Sequence, residues 1–80
     1  MNIYELLDDV TEFLDSRTSY VVTEDMDAVS DDFAYVRYYP VDYALQNEAF
    51  DFEKELQRMY PEFRIKFGYE TGDVLTLEVD

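Results

Sequence analysis

The chain has 80 residues, 20 of them Asp or Glu against six Lys or Arg and no His, for a formal net charge of −14. Such a polyanion is repelled by DNA, RNA and anionic lipid, which excludes direct nucleic-acid binding and attachment to a membrane surface. Yet 48% of the residues are hydrophobic and 18% aromatic, and disordered acidic segments are poor in such residues, so a folded body is expected despite the self-repulsion.

Helix 1 is expected over about residues 3–16. Asn2 followed by Glu5 has the capping-box spacing. Ile3, Leu6, Leu7, Val10, Phe13 and Leu14 then recur in steps that build one apolar face. Ser19–Thr23, centred on Tyr20, Val21 and Val22, reads as a short strand. Glu24–Asp32 reads as an acidic connector. Phe33–Tyr39 reads as the second strand, stopped by Pro40.

Leu45, Ala49, Phe52, Leu56 and Met59 form the stripe of a second helix, capped by Asn47 or, if it starts earlier, by Asp42. Pro61 biases Tyr60 away from helix, so the helix should end near Met59. Phe63–Tyr69 and Val74–Val79 flank Glu70-Thr71-Gly72-Asp73 and read as a β-hairpin.

The predicted fold class is therefore α+β: one domain over residues 1–80 in the order αββαββ. It has a four-stranded, mostly antiparallel sheet with two helices on one face. Alternation along the strands puts Ala34, Val36, Tyr38, Phe63, Ile65, Phe67, Leu75, Leu77 and Val79 inside. Phe33, Tyr35, Arg37, Tyr39, Arg64, Lys66, Thr76 and Glu78 then share the open face.

At this size a domain buries only about 60% of its unfolded surface and often uses staples. The chain has no Cys, which removes disulfides and thiolate metal sites and suits a reducing cytoplasm. Met1 to Glu5 includes no basic residue, so no secretory leader is expected. No apolar run approaches the ~18–20 residues of a membrane span.

Acid is concentrated in the first half. Residues 1–42 hold 11 acids against Arg17 and Arg37, and residues 43–80 hold 9 against Lys54, Arg58, Arg64 and Lys66. Helix 1 carries Glu5, Asp8, Asp9, Glu12 and Asp15 off its apolar stripe. Like charges three or four residues apart cost ~0.2–0.5 kcal/mol per pair, so the ladder is not there for helix stability. It could imitate the phosphates of a duplex, which shows about one charge per 1.7 Å of axis. The plain alternative is a solvated acidic face.

Glu24, Asp25, Asp27, Asp31 and Asp32 extend that acidic surface. Counted from Asp25, they fail the calcium-loop pattern: Ser30 stands where the loop needs Gly, and Val36 where it needs Glu. No metal site is expected. Among Tyr35, Tyr38, Tyr39 and Tyr43, the side chains of Tyr35 and Tyr39 are expected to be exposed as interface anchors, the others packing in the fold.

Catalysis is not expected. Without His or Cys there is no Ser–His triad, thiol nucleophile or imidazole ligand. There is also no phosphate-cradling Gly-rich loop, so neither catalytic residues nor a cofactor are assigned.

The leading reading is a non-enzymatic inhibitor that presents acid where a nucleic acid would bind. Its partner would be a protein with a basic cleft: a CRISPR effector, a restriction or repair enzyme, or a transcription enzyme. Its partner-binding residues would be Glu5, Asp8, Asp9, Glu12, Asp15, Glu24, Asp25, Asp27, Asp31, Asp32, Tyr35 and Tyr39. In its small size, missing Cys and aromatic-rich acidic surface, the chain resembles small phage-encoded inhibitors as a type, anti-CRISPR proteins among them. That likeness implies the cytoplasm of a bacterial or archaeal host. The competing reading is an interaction module or homodimer that docks through Tyr35, Arg37 and Tyr39, with acidity serving solubility or salt adaptation.

Overall fold

A computed structural model describes residues 1–18, 22–70 and 72–80. Helix α1 spans Ile3–Asp15, and the Asn2 side chain accepts a 2.9 Å hydrogen bond from the Glu5 amide. That bond satisfies one of the donors left over at a helix start. Ile3, Leu6, Leu7, Val10 and Leu14 are buried as the spacing requires.

Two strands follow, β1 (Thr23–Val29) and β2 (Ala34–Tyr39). The first departs from expectation. The segment read as an acidic connector is itself the strand, up to Val29. Of the predicted strand, Thr23 begins β1 and Val22 precedes it, while residues 19–21 lie outside the described residues.

Helices α2 (Tyr43–Asn47) and α3 (Ala49–Met59) replace the single second helix. Asp42 caps α2 by accepting from the Leu45 amide, and the helical path breaks at Glu48. Asn47 therefore ends a helix and caps nothing. Leu45, Ala49, Phe52 and Leu56 are buried, but Met59, at the end of the stripe, is 54% exposed.

The chain closes with β3 (Ile65–Tyr69) and β4 (Leu75–Val79). Their turn passes through Gly72, whose φ of 85° lies in the left-handed region that Gly tolerates; Thr71 lies outside the described residues.

All three strand pairings are antiparallel, in the order β1-β2-β4-β3. The α+β expectation holds: one four-stranded sheet, with the helices covering one face. Ala34, Val36, Tyr38, Ile65, Phe67, Leu75, Leu77 and Val79 form that covered face, and Phe13 and Phe63 pack at the margin of the core. The two halves of the cover meet where the rings of Phe13 and Phe52 lie edge to face, 5.3 Å between centroids.

The outer edge of β3 is sealed by α3. Gln57 accepts from the Ile65 amide at 3.0 Å and donates to the Phe63 carbonyl at 2.5 Å. Glu53 accepts from the Phe67 amide at 2.8 Å. We expect Gln57→Ala to lose about 1–3 kcal/mol, because it leaves partly buried backbone groups unpaired. A urea midpoint unchanged from the parent would refute this role.

Candidate functional site

β1 carries three acids in seven residues, a composition that does not favour strand on its own. Arg37 supplies the reason it forms. Asp25 lies opposite Arg37 in the β1–β2 register, and the register shifts between Met26 and Ala28. This bulge adds Asp27 to the strand, and it too reaches Arg37. The guanidinium lies 2.9 Å from Asp25, 2.8 Å from Asp27 and 3.9 Å from Glu70. The bond to Asp27 is the chief cause holding the Arg37 pKa above its ordinary value. The open face thus carries Asp25 and Asp27, acids that the sequence had left in a connector outside the sheet.

Tyr35 is half-buried and donates to Glu70 at 3.3 Å. Tyr39 is 37% exposed, as expected for an anchor, but Tyr43 at 76% and Tyr69 at 60% are more open. These two flank a shallow cleft of about 390 Å³ with Gln46, Glu70 and Gly72. Tyr43 was expected to pack; its place in the first turn of a short helix was not readable from the stripe.

The helix ladder divides by role. Glu5, Asp8 and Glu12 are exposed and, among the described residues, their side chains make no hydrogen bond or ion pair, so their charges face solvent. Asp9 accepts a 2.8 Å bond from the Tyr60 hydroxyl, and this bond is the first cause raising the Tyr60 pKa. Asp15 accepts from the Val22 amide at 2.7 Å and ties the helix end to the start of β1. Glu24 turns toward α1 and accepts from Thr11 at 2.8 Å. Asp31 and Asp32 are exposed at the tip of the β1–β2 hairpin, where Ser30 donates to Asp32. Asp9, Asp15 and Glu24 therefore do structural work that a sequence pattern cannot separate from surface charge.

Comparison with protein-family models, with curated proteins and with solved structures finds no match to this chain.

The folded chain weights acid toward α1 and β1. α1 joins β1 through the Thr11–Glu24 bond, and the hairpin tip adds Asp31 and Asp32, so ten of the 20 acids lie on α1, β1 and the tip of the β1–β2 hairpin. At the opposite edge, two adjoining depressions of about 400 and 450 Å³ share Glu53, Gln57 and Ile65. Lys54, Arg58, Arg64 and Lys66, all the cations of the second half, line them together with Glu53, Glu78 and Asp80, and Arg64 pairs with Asp80 at 2.9 Å. Among the described residues no group of three or more Asp or Glu is arranged to hold a metal ion. Among the described residues, too, no helix is long and apolar enough to cross a membrane.

Two buried side-chain polar atoms among the described residues lack a hydrogen bond: Arg37 Nε, which is compensated by its ion pair with Asp27, and the Tyr38 hydroxyl. Tyr38 has no exposed surface, and its hydroxyl makes no hydrogen bond of good geometry. The Thr11 hydroxyl beside it is already directed to Glu24 and to the Leu7 carbonyl. Burial pushes the Tyr38 pKa far up; Thr11 opposes this, and Glu24 and Asp8 add to it. The unfolded chain therefore loses this proton first. The stabilisation is complete below the unfolded tyrosine value of about 10 and declines as pH rises above it. We expect Tyr38→Phe to change stability at neutral pH by less than about 1 kcal/mol, and to make the alkaline fall in Tm shallower. Melting by circular dichroism from neutral to strongly alkaline pH checks both, and equal alkaline slopes in parent and variant would count against the assignment.

Proposed function

We propose that this chain is a non-enzymatic inhibitor that presents an acidic surface to the basic cleft of a nucleic-acid-binding protein. The observation that supports the reading is the density of exposed acid on α1 and β1. Glu5, Asp8 and Glu12 line the outward side of α1, and α1 is tied to an acidic edge strand. With a rise of 1.5 Å per residue, these carboxylates repeat roughly every 4.5–6 Å along the helix. Phosphates on one DNA strand repeat about every 3.4 Å, so a basic groove meets charge at comparable density. Attraction of this kind acts at long range and accelerates association at low salt.

A CRISPR effector, a restriction or repair enzyme, or a transcription enzyme fits such a partner, and the host would be a bacterial or archaeal cell whose cytoplasm holds the complex. A phage-type inhibitor of anti-CRISPR or anti-restriction kind is the corresponding biological role.

The alternative, an interaction module or homodimer, draws support from exposed Tyr43 and Tyr69 flanking one cleft. Its original anchors are weaker, since Arg37 and Tyr35 already have partners within the chain.

The deciding experiment is affinity capture of host proteins on the tagged chain, washed at low and high salt, followed by mass spectrometry. Recovery of a nucleic-acid enzyme that DNA or RNA displaces, and that high salt releases, is the expected result. Recovery of the chain itself alone, insensitive to salt and nucleic acid, would sink the inhibitor reading in favour of self-association.

A further inference from the structure

The two edges of the sheet are treated differently. Arg64 and Asp80 exchange both backbone bonds, which fixes the alternation along β4 and then β2 through their registers. Ile65 and Phe67 consequently turn their backbone groups outward from β3, and these are the amides that Gln57 and Glu53 cover. The same alternation directs the backbone of Tyr35, Arg37 and Tyr39 at β1, and with it Ala28, Asp25 and Thr23 inward. Glu24 and Val29 therefore turn their backbone N–H and C=O groups away from the sheet. No hydrogen bond from a described residue covers them.

An uncovered edge is a template for another strand. Its charge selects the occupant. A second copy laid on β1 would set Glu24, Asp25 and Asp27 against the same acids, and like charges directly opposite destabilise a strand pair. The bulge at Asp27 opposes self-pairing further. Asp25, Asp27 and Glu70 together exceed the single positive charge of Arg37, so a strand bearing cations finds uncompensated carboxylate on the open face and Glu24 on the other.

We propose that the β1 edge takes up, by strand addition, an extended segment of the partner protein with Lys or Arg at alternate positions. The proposal deepens the inhibitor reading and rests on it. It adds directional backbone bonding to an attraction that surface charge alone would leave unoriented.

The test uses the full chain, labelled for amide-resolved NMR, and a peptide of alternating Lys and Val. The Glu24 and Val29 amides should exchange at least about tenfold more slowly with the peptide bound, while Ile65 and Phe67 are unchanged. A peptide of alternating Glu and Val should leave all four unaffected. Val29→Pro removes one outward donor without breaking a bond to β2 and should weaken the Lys–Val peptide about tenfold. Binding of that peptide with no protection at Glu24 and Val29 overturns the proposal, as does the absence of binding. Capture of a nucleic-acid enzyme by a chain whose β1 amides remain unprotected would overturn strand addition and leave the inhibitor reading standing. Protection by the peptide with no enzyme captured would do the reverse.

Discussion

Changing Glu5, Asp8 and Glu12 together to Lys is expected to weaken binding to a basic cleft by about two to three orders of magnitude at low salt, mostly through slower association. Each reversal adds two positive units, so the formal net charge rises from −14 to −8. All three side chains are exposed, and the Asn2 cap uses the Glu5 amide instead of its carboxylate, so the fold should survive. Asp9 and Asp15 are left out because their bonds to Tyr60 and Val22 hold α1 in place. The control is a second triple variant, Glu48→Lys, Asp51→Lys and Asp73→Lys, at three exposed acids outside α1. It reaches the same net charge. Association rates measured for both against the captured partner separate local presentation from bulk charge. Equal loss in the two variants would show that only net charge matters and would remove α1 as the recognition surface.

Leu77→Ala should be the most damaging single truncation for stability. Leu77 is fully buried on β4, which lies between β2 and β3 and places Leu77 opposite Val36 and Phe67. Deleting a buried Leu side chain to Ala typically costs about 2–5 kcal/mol, from lost transfer energy and the cavity left behind. A chain of this length has a total stability on the order of 4–12 kcal/mol. The variant should therefore be partly unfolded at ambient temperature or melt far below the parent. Met59→Ala serves as the contrast: an exposed site at a helix end should change stability by no more than about 0.5 kcal/mol. A urea titration of both variants gives the comparison, and similar midpoints would contradict the placement of the core.

Where hydrophobic periodicity was strong, the fold was legible. The α1 stripe, the alternation of Ala34, Val36 and Tyr38, and the pair of strands around Gly72 all follow from local pattern. Burial rewards the same residues that set those periods. β1 was hidden because its residues satisfy no local rule. Thr23–Val29 becomes strand through tertiary pairing, above all through Arg37 twelve residues beyond Asp25 and ten beyond Asp27. A lone cation inside an apolar strand, preceded by alternating acids, was the available signal. The break at Glu48 was also hidden, because Leu45, Ala49, Phe52 and Leu56 keep helical spacing across it. The candidate site was legible in composition but not in role. Sequence spacing grouped Asp9 and Asp15 with Asp8 and Glu12, while only the folded chain distinguishes carboxylates that bond to Tyr60 and Val22 from those that face water.

The strand order has a physical consequence for approach in solution. Residues 1–42, which hold α1, β1 and β2, carry 11 acids against two cations, and residues 43–80, which hold β3 and β4, carry 9 against four, so the negative charge is weighted toward β1 and gives the molecule a dipole across its sheet. A positively charged surface within about a Debye length, ~8 Å at physiological ionic strength, exerts a torque on that dipole. The chain turns its β1 side forward before any atoms touch. Fewer encounters are then spent in the wrong orientation.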